Sequence, residues 1–130
     1  AAAAALLAAS KTLATVEAGT AGRVASLFAQ AAARRDRVEQ SFFHGGLVLP
    51  GLSLEKDSLI AAAKDVARSH NASIGMAVGP VKPIGTRHAV DVVVVNNDQP
   101  LVTEHILSGG GIAMSRAAKS AVDQVRLVLL

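Results

Sequence analysis

Residues 87–95 read RHAVDVVVV and end in four consecutive valines. β-Branched side chains lose rotamer freedom in a helix and pack well on a pleated surface. Successive residues of a strand point to opposite faces, so an unbroken valine run is apolar on both. Such a strand belongs inside a sheet that helices cover on each side. The run therefore sets the frame as a layered α/β arrangement. Asn96-Asn97-Asp98 follows as a turn, and Leu101 to Leu107 returns as a strand.

The rest of the chain fits that frame. Lys11 to Glu17 reads as a short strand, Ala18 to Gly22 as a small-residue turn, and Arg23 to Ala33 as a helix. Val24, Leu27 and Phe28 share one face of that helix. Thr20 is the expected N-cap, because its hydroxyl can accept an orphan N–H of the first turn. Ser41 to Leu49 is strand-like, with a Gly45-Gly46 pair that suits a bulge. After the Pro50-Gly51 turn, Ser53 is expected to cap a helix running to about Ser69. Ser73 to Val78 reads as a buried strand, and Lys82 to Thr86 as a constrained loop. Three glycines at 109–111 open the last helix, from Ile112 to Leu130. Alternation followed by a hairpin predicts a three-layer α/β/α sandwich around a mixed sheet of about five or six strands.

Composition narrows the chemistry. The 130 residues suit one domain, taken as residues 11–130, and 51% hydrophobic content excludes a disordered chain. The absence of Cys excludes zinc-thiolate and iron–sulfur sites, disulfides and a cysteine nucleophile. It accords with a reducing interior, such as the cytoplasm or the mitochondrial matrix. Three Phe and no Trp or Tyr leave almost no aromatic platform for single-stranded nucleic acid. A net charge of +3 permits an RNA-rich neighbourhood without demanding one.

Residues 1–10 are expected to be an N-terminal helix, since Ala and Leu are strong helix formers. A run of five alanines is equally what unassigned residues written as alanine look like. The apolar stretch is shorter than the roughly 20 residues a bilayer span needs, so no membrane insertion is expected. It has no basic n-region, which a secretory signal would carry.

Several places could carry chemistry. The turn from Glu17 to Arg23 joins a strand to a helix, where exposed N–H groups and a positive dipole end suit a phosphate or carboxylate. A tight strand-to-helix turn accounts for the same residues. Gly109-Gly110-Gly111, with Arg116 in the following helix, has the same two readings. Ser53 and Lys56 stand three apart, a spacing that lets lysine act as base for serine, although capping explains Ser53 equally. His44, His70, His88 and His105 are scattered without a metal-ligand spacing, so no metal is expected. Arg34, Arg35 and Arg37 could touch RNA phosphates or simply close a helix in solvent.

Residues 12–28, TLATVEAGTAGRVASLF, resemble the C-terminal domain of the CinA family, where a strand "TxAES" runs into "CTGG" and a helix. Residues 73–95, SIGMAVGPVKPIGTRHAVDVVVV, resemble that family's "iavavTGiaGP…KPvGtvyia" segment. Residues 101–130 resemble its closing strand, "fxGxRxxiR" turn and helix ending in "aLxxL". The likeness runs in consistent order over about residues 11–130, with no single motif intact.

Members of that family hydrolyse nicotinamide mononucleotide to nicotinic acid mononucleotide and ammonia. The resemblance puts the family's serine at Ala18, its cysteine at Gly19 and its first glycine at Ala21. Glu17, Thr20 and Gly22 remain. After Gly45-Gly46-Leu47-Val48 the chain goes through Leu49-Pro50-Gly51 directly to Ser53, which resembles the start of the family's "vSeevA" helix. The "tYsneaK" lysine segment is therefore missing, and Lys56 stands on the wrong element to be its equivalent. The "TGiAGPgGG" loop is cut to Val78-Gly79-Pro80, and of the two turn arginines only Arg116 is matched.

A methyl group cannot attack a carbonyl, so the resemblance implies a degenerate member without catalytic residues and without a cofactor. Its expected role is a structural or interaction subunit bound to other protein subunits, in an assembly that could contain RNA, such as a ribosome. A homo-oligomer is a further option. The alternative is a nicotinamide-nucleotide sensor or residual amidase, with Glu17, Thr20, Gly22, Gly79, Lys82 and Arg116 as ligand contacts.

Overall fold

The computed structural model describes residues 2–33, 41–107 and 113–129. Along them the chain runs α1 (Ala2–Ala8), β1 (Leu13–Glu17), α2 (Arg23–Ala33), β2 (Phe43–Val48) and α3 (Lys56–Ser69). It continues β3 (Ile74–Val78), β4 (Lys82–Ile84), β5 (Arg87–Asn96), β6 (Gln99–Leu107) and α4 (Ala113–Val128). The stretches around Arg34–Arg37 and Gly109–Gly111 lie outside the described residues, so their expected roles stay with the sequence.

The valine run sits inside the sheet, as its pattern predicts. The order is β2-β1-β3-β5-β4, with β6 on the other edge of β5. β1 pairs parallel with β2 and β3, and every pairing of β5 is antiparallel. Val90, Val92 and Val94 face a core made with α1, α2 and α4, through Leu6, Phe28, Ala121 and Val125. Val93 and Val95 face the opposite core, under Leu59, Ala63 and Val66 of α3. The two cores with the sheet between them make the three layers.

All three aromatic rings of the chain meet under α2. Phe28 stacks on Phe43 at 5.8 Å and meets Phe42 edge-on at 6.2 Å. Phe28 is 1% exposed, and truncating such a ring costs about 3–5 kcal/mol. On the other face α3 lies almost on the backbone of β3. A Cβ at Gly75 would stand 1.9 Å from the Ala63 carbonyl oxygen, so only glycine lets the helix approach so closely.

The hairpins follow their turn chemistry. Asn97 and Asp98 both take positive φ, 53° and 60°, the two-residue turn whose twist matches the strands it joins. A bulge in β2 is present as expected, because Leu13 pairs with Phe43 and Ala14 already with Gly45.

Three local expectations need correction. Lys82 to Ile84 is a strand, β4, where a loop was expected. Pro83 is tolerated because β4 bonds β5 along one side only, so the missing N–H breaks no ladder on the other. Ser53 does not cap α3, whose N-cap residue is Glu55. The Ser53 hydroxyl instead accepts the Glu55 N–H at 3.0 Å, a local turn outside the helix. Thr20 is not the acceptor at the start of α2, for the reason that follows.

Candidate functional site

β1 is the point where the topology divides. Its connection to β2 carries α2 over one face, and the next connection carries α3 over the other, back to β3. In open α/β sheets, ligands bind outside the carboxyl ends of strands at such a switch point. Here that place is the loop Ala18–Gly22 beside Gly79, which joins β3 to β4.

Glu17, the last residue of β1, is fully buried and turns its carboxylate onto the start of α2. Its Oε1 accepts the Thr20 hydroxyl at 2.5 Å, the Gly22 N–H at 2.9 Å and the Val24 N–H at 3.1 Å. Its Oε2 accepts the Ala25 N–H at 2.8 Å. A carboxylate is favoured at a helix N-terminus by both its orphan donors and its dipole. Thr20 therefore donates where a capping threonine would accept, and Glu17 is the cap.

The remaining donors of the loop are also used. Ala18 N–H bonds the Val78 carbonyl at 2.9 Å and Gly19 N–H the Gly79 carbonyl at 3.0 Å, continuing the β1–β3 ladder beyond the strands. Ala21 and Arg23 N–H groups close turns onto Ala18 and Thr20. From Ala18 to Ala25, every N–H but that of Thr20 has a partner within the described residues. The loop is narrow as well. A Cβ at Gly19 would lie 2.7 Å from the Gly79 oxygen and 3.0 Å from the Val81 nitrogen.

Gly79 passes the bonding on to a charged group. Its N–H bonds the Asp91 carbonyl at 2.9 Å. The Asp91 side chain is 3% exposed and holds Lys82 Nζ at 2.9 Å, while Glu104 holds the same nitrogen at 2.9 Å. Hydrogen bonding to Glu104, and then to Asp91, raises the Lys82 ammonium above its ordinary lysine value. A lysine clasped by two carboxylates is a firm cation and a poor base.

Glu17, Thr20, Gly22, Gly79 and Lys82 thus belong to one bonded chain running through Gly19 and Asp91. Arg116 lies on α4, and its side chain is outside the described residues. Among the described residues Ser53 and Lys56 share no hydrogen bond, and Lys56 opens α3. Sequence reasoning missed Asp91 and Glu104. Asp91 carried a signal, as a lone acid inside an otherwise apolar strand.

Among the described residues no helix is long and apolar enough to cross a membrane. None of their His, Asp and Glu form a group of three that could hold a metal ion.

No family model matches the sequence, and no curated protein matches it. Solved structures match the fold throughout. The competence or damage-inducible protein of Enterobacter asburiae superposes with a TM-score of 0.79 at 15% identity, over 98% of this chain and 93% of that one. A CinA-superfamily protein of Enterobacter cloacae gives 0.79 at 16%, over 98% and 88%. A CinA-superfamily protein of Escherichia coli gives 0.65 at 20%, over 95% and 83%. The chain is an α/β protein of mixed sheet, and its fold is that of the CinA superfamily over nearly its whole length.

Proposed function

We propose that this chain is a catalytically inactive CinA-like domain that acts by binding other protein subunits. The observation that carries the reading is the inward bonding of the Ala18–Ala25 loop. Acyl-transfer chemistry needs a nucleophile, a base and N–H donors aimed at a developing oxyanion. Ala18 offers a methyl group, Lys82 is held as a cation, and the loop donors are satisfied by Glu17, Val78 and Gly79. Each such group supplies orders of magnitude in rate, so losing them together removes the reaction.

The surface around the loop supports the binding role. Val48, Leu49 and Val81 are 47%, 45% and 40% exposed. The Val48 side chain lies against Gly22, the Leu49 N–H bonds the Glu17 backbone carbonyl, and the Val81 backbone runs beside Gly19, so all three residues flank one loop. Exposed apolar side chains gathered around a loop suit the apolar surface of another protein. The mild positive charge is compatible with an assembly that contains RNA.

The test is incubation of the purified protein with nicotinamide mononucleotide. The expected result is ammonia at the level of a protein-free control. Release above it, abolished by Thr20→Ala, would overturn the reading. The same internal bonding argues against a nucleotide sensor at this loop. Calorimetry with nicotinamide nucleotides is expected to show no heat that Glu17→Gln or Lys82→Met alters.

A further inference from the structure

Where the last turns of α3 meet the turn between β5 and β6 lies a cleft of about 300 Å³. It stands at the opposite end of the sheet from the Glu17 loop, because Asn96 at the end of β5 pairs with Ile74 at the start of β3. Lys64 and Arg68 line it from the helix, Asn97 and Asp98 from the turn. We infer that this cleft is a binding site for a small aliphatic α-amino acid, held by both of its charges.

Three features carry the assignment. The first is a pair of opposite charges that do not meet. Lys64 and Asp98 line the same cleft, yet among the described residues neither side chain has a hydrogen-bond or ion-pair partner. A lone anion there would face Asp98 as a like charge, and a lone cation would face Lys64 and Arg68. A zwitterion offers a carboxylate to the lysine and an ammonium to the aspartate, so both contacts attract.

The second is spare hydrogen-bonding capacity on each side. Arg68 meets Asp65 at 3.5 Å through Nη1 alone, which leaves other guanidinium donors for a carboxylate. The Asn97 side chain has no partner among the described residues, and its amide oxygen can accept from an ammonium. The third is the apolar lining. Ala67, Ala72 and Val95 line the same space. Val95 is 5% exposed, and Ala72 packs against the core under α3. These small groups suit a short aliphatic side chain. The volume lies near the lower limit of small-molecule pockets, about 300–1,000 Å³, which favours a free amino acid over a peptide.

L-Valine is the probe, titrated calorimetrically into the whole protein at low salt. Isovalerate and isobutylamine are titrated alongside, since they keep the branched carbon frame and lack the ammonium and the carboxylate respectively. Saturable single-site binding of L-valine is expected, at least about tenfold tighter than either analogue and weakening as salt rises. Lys64→Gln keeps a good helix former on α3, and Asp98→Asn keeps a residue that tolerates positive φ. Circular dichroism checks that both fold. Each is expected to weaken L-valine binding at least about tenfold, while Lys119→Gln on α4 leaves it unchanged. No saturable heat at millimolar L-valine would overturn the assignment. Either analogue binding as tightly as L-valine would overturn it too, because the cleft would then read one charge only. So would unchanged affinity in folded Lys64→Gln and Asp98→Asn proteins.

Discussion

The Thr20 hydroxyl donates to the Glu17 carboxylate at 2.5 Å, with both residues fully buried. Three residues separate them in the chain. The contact ties the end of β1 to the turn before α2, and the same carboxylate holds three N–H groups of that helix. A place suited to an external anion is thereby filled by the chain itself.

Removing the charge at Glu17 should consequently act on stability. In Glu17→Gln one carboxylate oxygen becomes an amide that cannot accept the N–H facing it. A buried donor left unpaired costs about 1–3 kcal/mol. Thr20→Val removes one donor and leaves the three N–H bonds, so it should cost less, about 1 kcal/mol. Urea midpoints of the two variants check both the size and the order. Equal midpoints for wild type and Glu17→Gln would contradict the capping role.

Lys82 and Asp91 should be coupled more strongly than a surface pair. Asp91 is 3% exposed, and its Oδ1 has no partner besides the lysine held on Oδ2. Lys82→Met leaves that carboxylate buried without a cation, an expected loss of about 3–5 kcal/mol. Pairing the change with Asp91→Leu should recover much of it, because two apolar groups need no partner. A double-mutant cycle on unfolding free energy measures the coupling. Additive single effects would place the stabilisation elsewhere.

The fold and the candidate site differ in how far the sequence announces them. The valine run, the Asn97-Asp98 turn and the alternation of helix with strand are local patterns, and each appears where its period puts it. Caps and ion pairs are less local. Thr20 and Ser53 have the right chemistry for caps, yet a helix end takes whichever acceptor the tertiary fold delivers. Glu17 reaches the α2 donors only because β1 ends beside them. Lys82 and Glu104 lie 22 residues apart in numbering and meet because β4 and β6 flank β5. β4 itself was hidden by Pro83, which reads as a breaker until the strand is seen to pair on one side.

His105 should make stability sensitive to mild acid. Its partial burial on β6 lowers its pKa below the ordinary histidine value. Its Nε2 lies 3.1 Å from the Thr103 hydroxyl. In the unfolded chain it binds a proton at about pH 6.5. Its contribution is therefore full above that pH. It falls as pH drops from about 6.5 toward the lower folded value, because the unfolded state takes up the proton first. Urea midpoints from pH 7.5 down to 5.5 should decline more steeply for wild type than for His105→Gln. Parallel curves would assign the acid sensitivity to other groups.

Placing a hydroxyl at the strand end should not create chemistry. Ala18 is half-buried, and Ala18→Ser adds one oxygen, so stability should stay within about 0.5 kcal/mol. A serine becomes nucleophilic only with an adjacent base, and Lys82 is kept protonated by Glu104 and Asp91. The Ala18 and Gly19 N–H groups that could face an oxyanion are bonded to Val78 and Gly79. Ammonia release from nicotinamide mononucleotide should stay at the control level in Ala18→Ser, and a fluorophosphonate probe should leave the new serine unlabelled. Gly19→Ser is the harsher change, since its Cβ would press within 2.7 Å of the Gly79 oxygen. Its expected effect is a loss of roughly 1–3 kcal/mol, typical of overpacking, again with no activity. Turnover or labelling in Ala18→Ser would mean that a base and an oxyanion site survive beside residue 18, and the reading of an inactive domain would fall with it.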